Sequence, residues 1–314
     1  MKVGNGTIST TTNTWEILLA SHEGNIQKVK ALVKECSDLI YAQYNYAPPV
    51  HFAVREGHAD LVNYFLDNGA HDPDYKFYPS QESLQTVAND RGYFEIEKML
   101  NEYANDSSRH KYKGDTGEIL YNRTSLQQEF EKAVGNNDLK RTEEILKGNP
   151  GFALDKSYCW SEGILLFPAK ENHREMIDLL TSYGAKVPDV IKWAQYYYFE
   201  RLDAAAYMME KGMNPDTMSW QRVTLLHDMA QKGFIDKARL LINYGANLDA
   251  IDDAYQSTPL GLAARWGNIE MVKFLMQQGA DINKSCATWS TPIAWARKKQ
   301  HHKIEEILKI AGAQ

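Results

Sequence analysis

The chain has few cysteines and no long apolar segment. Three of its 314 residues are cysteine, Cys36, Cys159 and Cys286, an odd number without C-x-x-C spacing. This pattern favours reduced thiols over a disulfide framework or a structural zinc site. No apolar run approaches the roughly 20 residues that cross a bilayer, and no apolar stretch follows Lys2 as it would in a signal peptide. We therefore expect a cytoplasmic protein that does not bind a membrane.

Positive charge is also in deficit, because 35 lysines and arginines face 41 acidic residues. Proteins that neutralise many phosphates normally carry a basic face, so a nucleic-acid partner is not expected. The glycine-rich nucleotide motifs and the G-x-S-x-G motif of esterases are absent. His301 and His302 have no ligand spaced for a metal, and Asp249, Asp252 and Asp253 are typical of a turn rather than of a calcium loop. We expect no metal and no cofactor.

One short string returns along the chain at the end of apolar segments. It reads FLDNGA at 65–70, LTSYGA at 180–185, LINYGA at 241–246 and LMQQGA at 275–280. From Gly212 onward its glycine recurs at spacings of 33, 34 and 33 residues. Glycine adopts the left-handed conformation just past a helix end without a Cβ penalty. The spacing therefore predicts one helix end in every unit of this length.

The beginning of each unit carries its own signal. Thr258-Pro259 and Thr291-Pro292 place proline in a first helical turn, where its missing N–H is not needed. A small-residue helix is predicted at 261–266, a turn follows, and a second helix at 269–276 has apolar residues at helical spacing. Each unit is therefore predicted to be helix–turn–helix.

This pattern resembles the ankyrin-repeat family, whose units read Thr-Pro-Leu-His, Ala-Ala, Gly-His and Leu-Leu-x-x-Gly-Ala. Residues 258–283 match most fully, and 48–70 and 224–249 match well. Weaker copies occupy 15–36, 83–104, 125–148, 163–185 and 191–212, and residues 291–313 resemble a capping repeat. The resemblance implies an all-α solenoid of about nine helix–turn–helix units with finger loops.

The domain organisation follows from where the copies lie. We predict a disordered or extended N-terminus at 1–14 and repeats one to three at 15–104. A polar insert is predicted at 105–124, followed by repeats four to nine, with the C-terminal cap, at 125–314.

Family resemblance also implies where a partner binds, namely the concave face built from finger tips and first helices. Finger tips of the family are usually small or polar, whereas those of this chain are mostly large aromatic residues. Tyrosine and tryptophan give a large contact area with little rotamer entropy to lose, and they are enriched at binding hot spots. We expect these rings to be exposed. The predicted binding residues are Tyr46, Tyr78, Trp160, Tyr198, Trp220, Tyr255, Trp266 and Trp289.

The histidines at the fourth position of the Thr-Pro-Leu-His element, His51 and His227, are expected to hydrogen-bond to neighbouring repeats, as the family implies. A catalytic role would require two such groups and a carboxylate to face one pocket.

Two functions remain open from the sequence. The favoured one is a binding module for a protein or peptide. The alternative is a small-molecule or glycan site, possibly catalytic, in the groove of repeats five to eight. There aromatic rings would stack on the ligand and nearby carboxylates would supply acid–base catalysis. Those carboxylates are Asp155, Glu162, Asp228 and Asp253. No sequence motif identifies an enzyme, so we favour the binding module.

Overall fold

The computed structural model of the chain describes residues 2–3, 7–8, 11–43, 47–77, 81–109, 124–155, 158–187, 193–219 and 221–314. Almost all of the regular structure in these residues is helical, which confirms the predicted all-α class. The exception is a short antiparallel ladder of β1 (Lys2–Val3) and β2 (Thr7–Ile8). Among the described helices, none has the length and apolar character needed to cross a membrane. Within the described residues, Cys36, Cys159 and Cys286 form no disulfide.

Contacts divide the chain into two compact units, unit 1 at 1–118 and unit 2 at 119–314. Unit 1 contains three helix pairs in its described residues, with 3-10 turns at Ser37–Tyr41 and Ser107–Arg109. The pairs are α1 (Thr11–His22) with α2 (Ile26–Glu35), α3 (Pro49–Glu56) with α4 (Ala59–Asp67), and α5 (Leu84–Asp90) with α6 (Phe94–Ala104).

Unit 2 continues the pattern with six further pairs in its described residues. A four-residue helix α9 (Tyr158–Ser161) precedes the second of them, and 3-10 turns lie at Pro150–Leu154 and Thr288–Ser290. The pairs are α7 (Ser125–Gly135) with α8 (Leu139–Gly148), α10 (Leu166–Glu171) with α11 (Arg174–Ser182), α12 (Trp193–Tyr198) with α13 (Leu202–Glu210), α14 (Leu225–Lys232) with α15 (Ile235–Asn243), α16 (Pro259–Arg265) with α17 (Ile269–Gln277), and α18 (Pro292–Lys298) with α19 (His302–Ile310).

The helix pairs occur where the repeats were predicted, and α1 begins at Thr11, before the predicted first repeat at residue 15. Most of the predicted insert, residues 110–123, lies outside the described residues. The division of the chain into blocks at 15–104 and 125–314 therefore stays a prediction.

The first helix of a pair is buried far more completely than the second. All seven residues of α16 are buried, as are Leu225–Ala230 of α14. The reason is that α16 contacts α14 on one side, α18 on the other and its own partner α17. By contrast, α17 buries only a stripe and leaves Glu270 and Gln277 exposed.

Polar side chains also join neighbouring repeats. The Asn268 amide donates to the carbonyl oxygens of Ala230 at 2.9 Å and Gln231 at 2.7 Å. The His301 ring is 3.1 Å from the carbonyl oxygen of Arg265 in the same way. These are terminal carbonyls of the preceding first helix, which have no partner within that helix. Repeats eight and nine thus complete the hydrogen bonding of the repeat before each of them.

Gly267 is required both by its backbone and by its neighbour. Its φ is +78°, in the left-handed region, and a Cβ there would lie 2.8 Å from Cε1 of His301. The turn glycine therefore allows the close approach that lets His301 reach the preceding helix.

We expect Gly267→Ala to lower the free energy of unfolding by at least about 1–2 kcal/mol, the cost of a left-handed alanine, with a further loss from displacing His301. Gly148→Ala is the matched control. Gly148 ends α8 without a positive φ and has open space around it, so alanine should add about 0.5–1 kcal/mol of helix stability. Urea unfolding of both variants measures the difference. Equal losses would contradict the role given to Gly267.

Candidate functional site

Four of the eight predicted binding residues can be placed. Tyr46, Tyr78 and Trp220 lie outside the described residues, as does the side chain of Trp160. The structure brings three of the remaining four together, namely Tyr255, Trp266 and Trp289, and it places Tyr198 on a different repeat.

Tyr255, Trp266 and Trp289 meet around two residues that the prediction did not include, Trp295 and Arg265. The Tyr255 ring makes edge contacts with Trp266 at 5.5 Å and with Trp295 at 6.0 Å between centroids. Trp289 makes the same kind of contact with Trp295 at 5.5 Å. Such T-shaped contacts place the positive edge of one ring against the negative face of another. We call these five residues the arginine–aromatic cluster.

Arg265 lies at the centre of this cluster. Its guanidinium carbon is 3.9 Å from the Trp266 centroid, 4.4 Å from that of Tyr255 and 5.1 Å from that of Trp295. The residue is only 4% exposed. Cation–π attraction is strongest where the cation is desolvated, so Arg265 holds these three rings in fixed positions.

The finger loop before α16 presents Tyr255 to the cluster. The Asp252 carboxylate accepts the backbone N–H groups of Tyr255 at 2.5 Å and Ser257 at 3.3 Å, which confirms Asp252 as a turn residue. The Ser257 hydroxyl donates to the carbonyl of Ser290 at 2.9 Å and accepts from the Trp295 indole at 3.2 Å. Hydrogen bonds of Ser257 therefore connect this finger to the finger and first helix of the next repeat.

The expected exposure of Tyr255 is wrong, because this ring is only 4% exposed. It packs between Trp266 of its own repeat and Trp295 of the next, so a finger ring at repeat spacing fills the space between repeats. Trp266 and Trp289 are half-buried and keep part of their surface exposed.

The expected exposure of Tyr198 is wrong as well, since it is fully buried. It is the last residue of α12, equivalent to Arg265 in α16, and both of these helix ends are buried. Burial, followed by the charges of Glu162 and Cys159, raises the pKa of the Tyr198 phenol. Its hydroxyl has no hydrogen-bond partner within the described part of the chain. The structure therefore places Tyr198 inside the stack.

The carboxylates considered for acid–base chemistry differ in burial and pairing. Glu162 and Asp228 are buried, whereas Asp155 and Asp253 are half-buried. Asp228 is ion-paired with Lys232 at 2.9 Å, and burial raises its pKa while Lys232 opposes the shift. Among the described residues, no three histidine, cysteine, aspartate or glutamate side chains are placed to hold a metal ion. A shallow groove of about 310 Å³ runs along α6 in unit 1, and its lining residues include none of the four predicted binding residues that can be placed.

His227 has the structural role that was expected of it. Its Nδ1 accepts the backbone N–H of Thr224 at 3.1 Å, and its Nε2 donates to the carbonyl of Ser257 in the next repeat at 3.2 Å. Burial lowers its pKa to about 4. His51 also reaches the next finger, with Nδ1 3.2 Å from the Tyr75 hydroxyl. Both histidines therefore connect repeats.

Comparison with known proteins identifies the repeat independently. The family model described as "Ankyrin repeats (3 copies)" matches residues 191–286, and "Ankyrin repeat" matches residues 45–76. Both ranges fall on helix pairs described above.

Among curated proteins, zebrafish (Danio rerio) palmitoyltransferase ZDHHC17 is 37% identical over 93 residues, which are 30% of this chain and 14% of that protein. Human palmitoyltransferase ZDHHC13 is 34% identical over 121 residues, or 38% of this chain and 19% of that protein. The alignments thus span less than a fifth of either relative, and the similarity concerns one segment of each.

The cation at the centre of the cluster gives a direct stability test. Arg265→Met keeps most of the aliphatic stem and removes the guanidinium, so we expect a loss of about 2 kcal/mol or more, typical of a desolvated cation–π contact. Arg239→Met is the control, because exposed Arg239 lies over one ring of the described residues, that of Phe274, at 4.7 Å, and should cost about 0.5–1 kcal/mol. Guanidinium unfolding compares the two. A loss at Arg265 no larger than that at Arg239 would refute its central role.

His227 predicts a defined pH dependence. Its pKa is about 4 in the fold against an ordinary 6.5, so the unfolded chain takes up the proton first as pH falls. The contribution to stability is complete above pH 6.5 and decreases towards pH 4, by up to about 3 kcal/mol. His227→Gln should flatten this part of the profile, whereas exposed His302→Gln should leave it unchanged. Urea unfolding over this pH range would disprove the assignment if all three proteins had the same slope.

Proposed function

Because this chain is an ankyrin-repeat protein, we propose that unit 2 binds a protein or peptide through the side formed by its finger loops and first helices. Ankyrin repeats are generally protein–protein interaction modules, and the family matches cover repeats in both units. The fold supports protein binding as the class of function, and the arginine–aromatic cluster supports the finger side of unit 2 as the binding surface.

The observation that carries this proposal is the partial exposure of Trp266 and Trp289. The buried part of Trp266 contacts Arg265 and Tyr255, and the buried part of Trp289 contacts Trp295. An anchor that is already rigid loses little conformational entropy when a partner covers it. Tryptophan is also the residue type most enriched at binding hot spots. These two rings are therefore suited to be anchors, with Arg265 and Tyr255 as positioning residues.

The proposed surface extends beyond these two rings by repeat register. In the sequence, Trp160 and Trp220 fall in the finger loops of repeats five and seven, so we propose them for the same surface of unit 2. Tyr46 and Tyr78 fall in finger loops of unit 1 and stay predicted binding residues of that unit. Tyr198 enters the proposal only as support for the surface, because it has no exposed area of its own.

A small-molecule or glycan site with acid–base catalysis has less support. Proton transfer needs a carboxyl group that reaches the ligand directly or through one water. Glu162 is buried, and Asp228 is buried and ion-paired with Lys232, so neither carboxyl group is placed to exchange a proton with a ligand in the free protein. We therefore favour the binding module.

Affinity capture from cell extract with the full chain as bait tests the proposal. We expect Trp266→Ala and Trp289→Ala to lose the captured partner, with affinity at least about thirtyfold weaker, as for a hot-spot tryptophan. Phe234→Ala is the control, because Phe234 is 45% exposed at the start of the second helix of its repeat. It should leave affinity unchanged.

Melting curves of all three variants separate binding from folding. If Trp266→Ala and Trp289→Ala lower the melting temperature and leave affinity intact, the rings are packing residues and the proposed surface is wrong. If Phe234→Ala is the variant that abolishes capture, the partner binds the side formed by the second helices.

A further inference from the structure

Asp228 occupies a position that four other repeats fill with a buried apolar side chain, whereas repeats four and six have Lys132 and Gln195 there. It lies five residues before Gly233, the left-handed residue that ends α14. The same position is buried and apolar in four other repeats, where the residues are Phe52, Val87, Leu262 and Trp295. The stack therefore does not need a carboxylate at this point, although it buries one here.

Within the described residues, only one of the two Asp228 carboxylate oxygens accepts a hydrogen bond. Its side chain has 0% exposure, and its Oδ2 accepts from Lys232 Nζ at 2.9 Å. Its Oδ1 is buried and has no hydrogen-bond partner within the described residues. A buried carboxylate is costly unless it is fully paired and hydrogen-bonded. Asp228 thus lowers the stability of the free protein. Repeat eight has a buried leucine, Leu262, at the equivalent position.

A second buried acceptor lies in the same repeat. Gln221, in the finger that precedes α14, is 1% exposed, and its Oε1 has no partner among the residues that the structure describes. Repeat seven therefore holds two buried acceptor oxygens without a hydrogen-bond partner among the described residues. A ligand that compensates them must bring N–H groups, and the arginine guanidinium carries five.

Lys232 places a cation between the Asp228 carboxylate and the Tyr196 ring. Its side chain is 43% exposed, its Nζ contacts Asp228, and the same Nζ is 5.6 Å from the Tyr196 ring centroid. A carboxylate and an aromatic face are the two groups that attract a basic side chain. Lys232 is the exposed member of the pair on a flexible stem, so its displacement would open the way to the carboxylate.

We propose that Asp228 is a subsite for one basic side chain, arginine or lysine, of the bound peptide, and that Lys232 occupies it in the free protein. This inference rests on the proposed function and names the chemistry of the partner. An incoming guanidinium binds both carboxylate oxygens and supplies the missing donor to Oδ1. Lys232 then moves into solvent, and Tyr196 offers its ring face to the new cation.

Selection of a random peptide display library on the full chain tests this subsite. The wild type and Lys273→Ala should both enrich peptides with arginine or lysine at one fixed position. Lys273→Ala is the matched control, because it removes an exposed lysine paired with Glu270 on a second helix. Lys232→Ala removes the internal competitor and should bind the same peptides severalfold more tightly. Asp228→Asn should lose the basic preference.

A double-mutant cycle then isolates the contact. Replacing the basic peptide residue by glutamine should weaken binding to the wild type at least tenfold and to Asp228→Asn less than twofold. If Asp228→Asn does not fold, Asp228→Leu replaces it in the cycle, since repeat eight has leucine at this position. It should melt at the same or a higher temperature and still lose the preference.

Three results would overturn the inference: enriched peptides without a fixed basic position, a fixed acidic position, or the same basic preference after Asp228→Asn. A lower melting temperature for Asp228→Leu would also overturn the inference, because it would show that the carboxylate stabilises the fold. Peptides that need Trp266 and ignore Asp228 would overturn the subsite and leave the proposed function standing. Enrichment of no peptide at all would overturn the subsite, and the capture experiment would then decide the proposed function by itself.

Discussion

A single helix pair of this chain cannot bury its own apolar surface, and the rest of the structure depends on this constraint. The first helices α14 and α16 are buried on nearly every side because neighbouring first helices enclose them. Polar contacts follow the same rule, since Asn268 and His301 complete the terminal hydrogen bonds of the preceding repeat. Stability within each unit is therefore a property of adjacent repeats rather than of any one of them.

The same constraint decides which side chains are left for a partner. The ends of α12 and α16 are enclosed, so Tyr198 and Arg265 are interior residues, and the finger ring of Tyr255 fills the space between repeats. What remains accessible is the outer part of Trp266 and Trp289, held from within by a buried cation. Asp228 is the opposite case, because it places a carboxylate where stacking favours an apolar group. Both features distinguish the finger side of unit 2 from a purely structural stack.

The repeat was predictable because its signals are local. Gly245 and Gly279 take left-handed conformations after helix ends, and Pro259 and Pro292 lie in first turns, as their sequence positions indicate. Burial of the rings was not predictable from the same signals. Whether Tyr255 is exposed depends on Trp295, forty positions later, and on an arginine of the next helix. Spacing identifies equivalent positions, whereas the side chains of the adjacent repeat decide which of them are covered.

Hydrogen–deuterium exchange of the full chain, free and bound to its tightest display-selected peptide, tests the binding surface most directly. The account predicts slower exchange in the finger loops at 247–257 and 281–291 and at the ends of α14, α16 and α18. It predicts no change in the second helices α15 and α17. Protection confined to those second helices, or to unit 1, would contradict it.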